Sequence, residues 1–195
     1  MSKKINITIN KVYTKKGDKG KTDIIGQRNV SKSDLRIICY GEVDELNSSI
    51  GFCCALIKGY KDLRYEEMLN SIKNIQNDLF NLGTMLAVSE DADTENFPNI
   101  ESKDIKALEA LIDYYNKDLE SLNSFVLPSG SKAGAYFHVC RTICRRVERN
   151  CVRLLDDVKV EDNIIAYLNR LSDLLFVWAR WTNKERDRKE NLWST

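Results

Sequence analysis

Phe137-His138-Val139-Cys140-Arg141-Thr142-Ile143-Cys144-Arg145-Arg146-Val147-Glu148-Arg149-Asn150-Cys151-Val152-Arg153-Leu154 is the stretch that decides the fold. Phe137, Cys140, Cys144, Val147, Cys151 and Leu154 recur at alternating three- and four-residue steps, so they share one face of a helix. His138, Arg141, Arg145 and Glu148 follow the same steps and form a polar stripe beside the apolar one. The apolar seam repeats elsewhere: Val43 to Ile57, Tyr65 to Leu86, Ile105 to Leu119, and Ile164 to Trp178. The period does not switch to two. Pro98 and Pro128 fall between the periodic segments, where a missing amide and a fixed φ do no harm. Gly59 suits a left-handed C-cap after the first seam, and Ser102 an N-cap before the third. The expected architecture is all-α, a ferritin-like five-helix antiparallel bundle with shallow crossing angles. It occupies residues 37–181 of one domain, with an N-terminal segment 1–36 draped over one end and a polar tail 182–195.

Composition narrows the functions. The chain has 195 residues, with 30 Lys plus Arg against 29 Asp plus Glu, a net charge of +1. No global basic field exists for nucleic acid or an anionic membrane, so an anion site must be local. The apolar runs are too short to span a bilayer, and the polar start Met1-Ser2-Lys3-Lys4 lacks the core of a secretory signal. These features predict a soluble, cytoplasmic protein. Cys39, Cys53, Cys54, Cys140, Cys144 and Cys151 include no C-x-x-C pair, and those on the seam are expected to pack as small hydrophobes. His138 is the sole histidine, which argues against a multi-histidine metal centre. No metal ligand is assigned.

Tyr13-Thr14-Lys15-Lys16-Gly17-Asp18-Lys19-Gly20-Lys21-Thr22 gathers hydroxyls, ammonium groups and glycines in one loop. Gly20-Lys21-Thr22 fits the end of a Walker A loop, but Lys15 stands where its first glycine is required. Taken alone, such a loop is a solvated turn more often than a phosphate site. Polar stripes also flank two other seams: Asn169, Asp173, Phe176 and Arg180 on the last helix, and Asp44 and Asn47 on the first. A solvated flank with Arg145 paired to Glu148 is the plain alternative on the fourth helix, worth only about 0.3–0.5 kcal/mol. Three polar stripes beside buried seams favour a site between helices or between subunits.

Five segments together resemble the PduO-type cobalamin adenosyltransferases, in that family's order from about Val12 to Arg180. They are the loop Tyr13 to Thr22, Tyr40-Gly41-Glu42-Val43-Asp44-Glu45-Leu46-Asn47, Phe125-Val126-Leu127-Pro128-Ser129-Gly130, Arg141 to Arg149, and Asn169 to Phe176. The resemblance implies a homotrimer with intersubunit sites. It implies transfer of the 5′-deoxyadenosyl group of ATP to the cobalt of cob(I)alamin, with Mg2+ accompanying ATP and triphosphate released. Thr14, Lys15, Gly17, Asp18, Lys19, Gly20 and Thr22 match the loop that wraps triphosphate, and Lys32 a further ATP contact. Arg145, Glu148 and Asn169 match ATP-binding positions. Arg141 and Asp44 match a salt bridge across the subunit interface, and Phe125 the aromatic residue that displaces the lower axial ligand of cobalamin. Without the resemblance, Phe125 reads as a core phenylalanine at a loop entrance.

The family chemistry suits these residue types. Co(I) is itself the nucleophile, so the protein's main task is positioning, with cations stabilising the leaving triphosphate. A corrinoid reductase and an adenosylcobalamin-dependent enzyme are the implied partners. Two positions depart from the pattern: Leu35 stands where a proline is common, before Arg36, and Lys16 replaces an uncharged polar residue. A non-catalytic cobalamin or ATP carrier or sensor on the same bundle is the competing function, and retention of Arg141, Arg145 and Asn169 speaks against it.

Overall fold

Five helices form where the apolar seams predict them: α1 (Leu35–Ile57), α2 (Leu63–Leu86), α3 (Ser102–Asn116), α4 (Lys132–Leu154) and α5 (Asp162–Glu185). The computed structural model describes residues 10, 12–89, 92, 97–158 and 162–194. The start Met1 to Lys4 and most of the acidic stretch from Ser89 to Glu95 lie outside them. Local chemistry sets the helix ends. The carboxylates of Asp34 and Asp62 accept from the N–H groups of Arg36 (2.9 Å) and Arg64 (2.7 Å), and Ser131 Oγ accepts from Gly134 N–H (3.0 Å). Gly59, at φ +94°, follows the C-cap Lys58 of α1. At α3 the cap is Glu101, not Ser102, which becomes the first helical residue. Asp104 explains the shift, because its carboxylate reaches back to Glu101 N–H (2.8 Å).

The seam residues of α1, α2, α4 and α5 are buried. α3 buries only Leu108 and Tyr115 fully, with Ile105, Ile112 and Leu119 partly covered, as suits a helix at the edge. Cross-helix contacts give the directions. Asn47 meets Gln76 between α1 and α2, Cys53 meets Cys140 between α1 and α4, and Glu148 meets Asn169 between α4 and α5, all in antiparallel order with other contacts of each pair. α3 and α5 instead run parallel: Ile100 lies by Asn163, Glu109 by Arg170 and Tyr115 by Trp178. Consecutive helices that touch are antiparallel, and the long connection 117–131 lets α4 enter away from α3. The cysteines are free, and all but the half-buried Cys54 lie in the core, with Cys53 and Cys140 sulfurs 3.7 Å apart. Burial pushes the Cys144 thiol up, which keeps it protonated and inert.

Two antiparallel strand pairs break the expectation that no period-two element exists. β1 (Lys21–Ile24) pairs with β2 (Gln27–Ser31), and β3 (Val126–Leu127) with β4 (Asn191–Leu192). Neither pair covers the core; Val30 is their one buried side chain, so no apolar alternation marks them. The hairpin β1–β2 is anchored instead through Ile25, whose N–H donates to the Ala87 carbonyl (2.9 Å) and whose carbonyl accepts from Ser89 (2.8 Å). Arg36 is buried beneath it and donates to the carbonyls of Leu86 (3.2 Å) and Val88 (2.8 Å), closing the end of α2.

At the opposite end, Asn183 is 2 % exposed and organises the entry to α4. Its Nδ2 donates to the Ser129 carbonyl (2.9 Å), and its Oδ1 accepts from Ser131 N–H (2.9 Å) and Oγ (3.0 Å). Gly130 (φ +104°) and Gly134 face this amide, and a Cβ on Gly134 would stand 2.1 Å from Asn183 Oδ1 and 3.0 Å from the Ala179 carbonyl. Helix propensity alone favours Ala over Gly by about 1 kcal/mol. Overpacking costs about 1–3 kcal/mol, and displaced hydrogen bonds about 0.5–1.5 kcal/mol each, so the steric term wins. Gly134→Ala is therefore expected to destabilise the protein by about 1–3 kcal/mol in urea unfolding; a gain in stability would show that Asn183 moves freely.

Candidate functional site

The glycine loop leads directly into β1 and is tied to the residue that follows β2. Gly20 N–H donates to the Gly17 carbonyl (3.2 Å), and Lys32 N–H to the Gly20 carbonyl (3.0 Å). A Cβ on Gly17 would lie 3.0 Å from Lys32 Nζ, so a glycine there lets the ammonium rest on the loop. Lys32 thus joins the loop through hairpin register, although it lies ten or more positions along the chain from Thr22 and the residues before it. Thr14, Lys15, Asp18, Lys19 and Gly20 are exposed, while Gly17 and Thr22 are half-buried. Lys15 adopts φ +62° and Gly20 φ +72°. Among the described residues, Lys15, Lys19 and Lys32 form no ion pair. A strand follows the loop where a Walker A loop would start a helix.

The stripe on α4 meets α5. Arg145 is exposed and does not pair with Glu148, whose Oε1 accepts from Asn169 Nδ2 (3.0 Å). Asn169 Oδ1 accepts from Arg170 Nη1 (3.1 Å), and Arg170 is held by Glu109 (2.9 Å) and Asp173 (3.3 Å). These contacts fix which way the Asn169 amide points. Arg170 adjoins Asn169 in sequence, whereas Glu109 comes from α3 and no local pattern announces it. Arg141 is half-buried; its Nε has no hydrogen-bond partner among the described residues, and burial, then Arg145, lowers the pKa of the guanidinium. His138 is buried, with both ring nitrogens lacking a hydrogen-bond partner among the described residues, and its ring lies 5.9 Å from that of Phe176. Burial pushes its pKa down to about 4, with Arg141 adding to the shift and Glu190 opposing it.

Two members of the expected stripes serve the scaffold. Asn47 is buried and donates to the Gln76 carbonyl (3.2 Å), fastening α1 to α2. Arg180 is buried and pairs with Glu190 (2.6 Å), behind the stripe of α5. Asp44 is exposed and lines a groove of about 430 Å3 between α1 and α2, with Tyr40, Gly41, Phe80, Gly83 and Thr84. Phe125 is 79 % exposed in the α3–α4 connection, so it is not the core residue that a loop entrance suggested.

One chain does not bring these groups together. The glycine loop sits where α1 begins, whereas Phe125 lies where α4 begins and α5 ends, about 35 Å away at 1.5 Å per residue along α1. Among the described residues, Asp44 and Arg141 form no ion pair with each other within the chain. Among the described residues there is no group of three or more His, Cys, Asp or Glu side chains able to hold a metal ion, and no helix is long and apolar enough to cross a membrane.

A family model described as cobalamin adenosyltransferase matches residues 12–182. A corrinoid adenosyltransferase of Bacillus subtilis is 40 % identical over 174 residues, covering 89 % of this chain and 86 % of the relative. A bovine corrinoid adenosyltransferase is 36 % identical over 188 residues, covering 94 % of this chain and 76 % of the relative. Among solved structures, a variant of the PduO-type ATP:corrinoid adenosyltransferase from Lactobacillus reuteri, complexed with cobalamin and ATP, superposes with a TM-score of 0.87 at 36 % identity, covering 95 % of this chain and all (100 %) of that one. A second variant of that protein, complexed with ATP, gives a TM-score of 0.85, also at 36 % identity, and covers 94 % of this chain and 100 % of that one.

The buried His138 makes stability depend on pH. The unfolded chain takes up this proton near pH 6.5 and the folded chain only near pH 4, so the unfolded state binds more protons in between. The contribution is complete above about pH 6.5 and is lost as pH falls towards 4, up to about 3 kcal/mol. The fall in unfolding free energy from pH 7 to 4.5 should be about 2–3 kcal/mol smaller in His138→Asn than in the unsubstituted protein. Equal falls would place the histidine in contact with solvent.

Proposed function

Because the chain belongs to the cobalamin adenosyltransferase family, we propose that it is an ATP:corrinoid adenosyltransferase. It transfers the 5′-deoxyadenosyl group of ATP to the cobalt of cob(I)alamin and releases triphosphate. The observation that carries this reading is the single continuous match, which takes in the cationic loop, the Phe125 connection and the polar stripes of α4 and α5.

The residue roles are those that the family resemblance implies, and geometry and charge support them. Lys32 rests its ammonium on Gly17, the exposed Lys15 and Lys19 of the same loop form no ion pair among the described residues, and with Thr14, Gly17, Asp18, Gly20 and Thr22 they bind triphosphate. Arg145 adds an exposed guanidinium, best matched to phosphate oxygens. Glu148 and Asn169, held by Arg170, offer an oriented acceptor and amide to the nucleoside. Negative charge grows on the triphosphate as its bond to the 5′ carbon breaks, so these preorganised cations lower the barrier. Mg2+ commonly takes ligands from substrate phosphates and water with one or two carboxylates, which fits a chain without a metal cage among its described residues. When bound, the ion neutralises phosphate charge.

Phe125 presents an apolar, exposed ring to the corrin face, where exclusion of an axial donor eases formation of Co(I). The functional unit is a homotrimer in which Asp44, in the α1–α2 groove, pairs with Arg141 of a neighbouring chain. Arg141 Nε, which has no hydrogen-bond partner among the described residues, and the separation of the candidates within one chain support this pairing. A corrinoid reductase supplies Co(I), an adenosylcobalamin-dependent enzyme consumes the product, and the reaction belongs in the cytoplasm.

Incubation with ATP, Mg2+ and reduced cobalamin should consume Co(I) in the visible spectrum; ATP binding without Co(I) loss would indicate a carrier or sensor. Arg145→Ala should lower turnover by about 10²–10³, about 2.7–4 kcal/mol, with the trimer intact by size exclusion. A normal rate would remove Arg145 from the site. Asp44→Asn and Arg141→Ala should each weaken ATP binding, the double variant losing less than the sum. Mixed trimers of the two single variants should exceed either alone, because one interface can collect both lesions and leave another intact. No recovery after proven exchange would count against the intersubunit pair.

A further inference from the structure

The α3–α4 connection is held at both feet by α5. Arg180 Nη2 donates to the Glu120 carbonyl (2.8 Å) at one foot, and Asn183 holds Ser129 and Ser131 at the other. Phe125 lies between them, and the backbone contacts that fix it come from the C-terminal tail. Trp193 N–H donates to the Phe125 carbonyl (2.8 Å), Ser124 Oγ donates to the Trp193 carbonyl (2.7 Å), and Val126–Leu127 pair with Asn191–Leu192. The rings of Phe125 and Trp193 stand 6.3 Å apart.

A pair of two-residue strands is too small to hold itself in water. The tail needs an anchor, and Glu190 provides it. Its carboxylate is largely covered and accepts two hydrogen bonds from Arg180, at Nε (2.6 Å) and Nη2 (3.0 Å). Arg180 is itself only 6 % exposed. A bidentate pair of this kind is directional, and loss of the carboxylate leaves a buried cation with one carbonyl partner. The same guanidinium therefore grips the loop and the residue that leads into the strand pairing with the loop's middle.

We propose that the Arg180–Glu190 pair is a latch that positions Phe125 at the corrin face, making both residues positioning residues of the adenosyl transfer although neither touches substrate. This rests on the assignment of Phe125 given above. Glu190 sets the ring's placement through the tail, while the feet of the loop stay held by Arg180 at the Glu120 carbonyl and by Asn183 at Ser129 and Ser131. Cobalamin handling depends on it, whereas ATP binding, through the loop at the other end of the chain's own bundle and the stripe of Arg145, Glu148 and Asn169, does not.

The test compares full-length Glu190→Gln, Glu190→Asp and Phe125→Ala with the unsubstituted protein. Hydrogen exchange of the Trp193 amide, which donates to the Phe125 carbonyl, should rise at least tenfold in Glu190→Gln, with residues 131–136 unchanged. With ATP and co(II)balamin, the fraction of donor-free Co(II) seen by electron paramagnetic resonance should fall at least fivefold in Glu190→Gln and in Phe125→Ala. The KM for cobalamin should rise and the Kd for ATP stay within twofold. Glu190→Asp, which keeps the charge on a shorter stem, should recover part of both signals, and it serves as the test if Glu190→Gln does not fold. Faster exchange with an undiminished donor-free fraction would overturn the positioning role, as would unchanged exchange. A full donor-free fraction in Phe125→Ala would instead overturn the assignment of Phe125, and the latch's role in the reaction with it.

Discussion

From Val177 to Asn183 every residue of α5 is buried, a run of nearly two turns that presents all its sides to protein. Trp178 and Trp181 fill the centre of this region with Tyr65, Tyr115 and Phe137, in edge and tilted ring contacts. Arg180 and Asn183 share the same burial, and a buried polar group left without partners costs about 1–3 kcal/mol or more. They are satisfied by the α3–α4 connection and the tail. The shape of that connection, the glycines at 130 and 134, and the docking of β4 on β3 all follow from the need to complete α5.

α4 shows how one helix serves core and site together. Its seam of Phe137, Cys140, Cys144 and Val147 is sealed against α1 and α5, while the next stripe carries His138, Arg141 and Arg145. Burial keeps His138 neutral, so the stripe gains no third positive charge at neutral pH, and Arg141, its Nε without a partner among the described residues, stands beside the exposed Arg145. In a chain of net charge +1, local concentration of charge is what attracts an anion. The Glu148–Asn169–Arg170–Glu109 chain then orients the neutral and acidic groups beside it.

The bundle's length separates the cationic loop from Phe125 within one chain, with the hairpin clamped to the end of α2 and the Phe125 connection to the end of α5. An exposed aromatic ring, an exposed carboxylate in a groove and a half-buried arginine are costly or idle in isolation. They become economical once neighbouring chains supply the missing contacts, which is the physical case for the proposed trimer.

The sequence alone determined the helices, because a 3.6-residue period is a local property and four of the five seams are buried as written. It also marked the loop Thr14 to Thr22, the α4 stripe and Phe125, since each is a contiguous or helically spaced motif whose order resembles a known family. It did not show the strands, which bury one side chain, Val30, and so leave no alternation to read. The stripe pattern likewise could not separate Asp44 from Asn47, or Asn169 from Arg180, because position on a helix face does not say what lies opposite. Only tertiary structure decided that Asn47 binds the α2 backbone, that Asn183 holds a loop about fifty residues away, and that Glu190 closes on Arg180. Periodicity tells which side of a helix is buried, whereas the partner of a buried polar group is chosen by the three-dimensional path of a distant part of the chain.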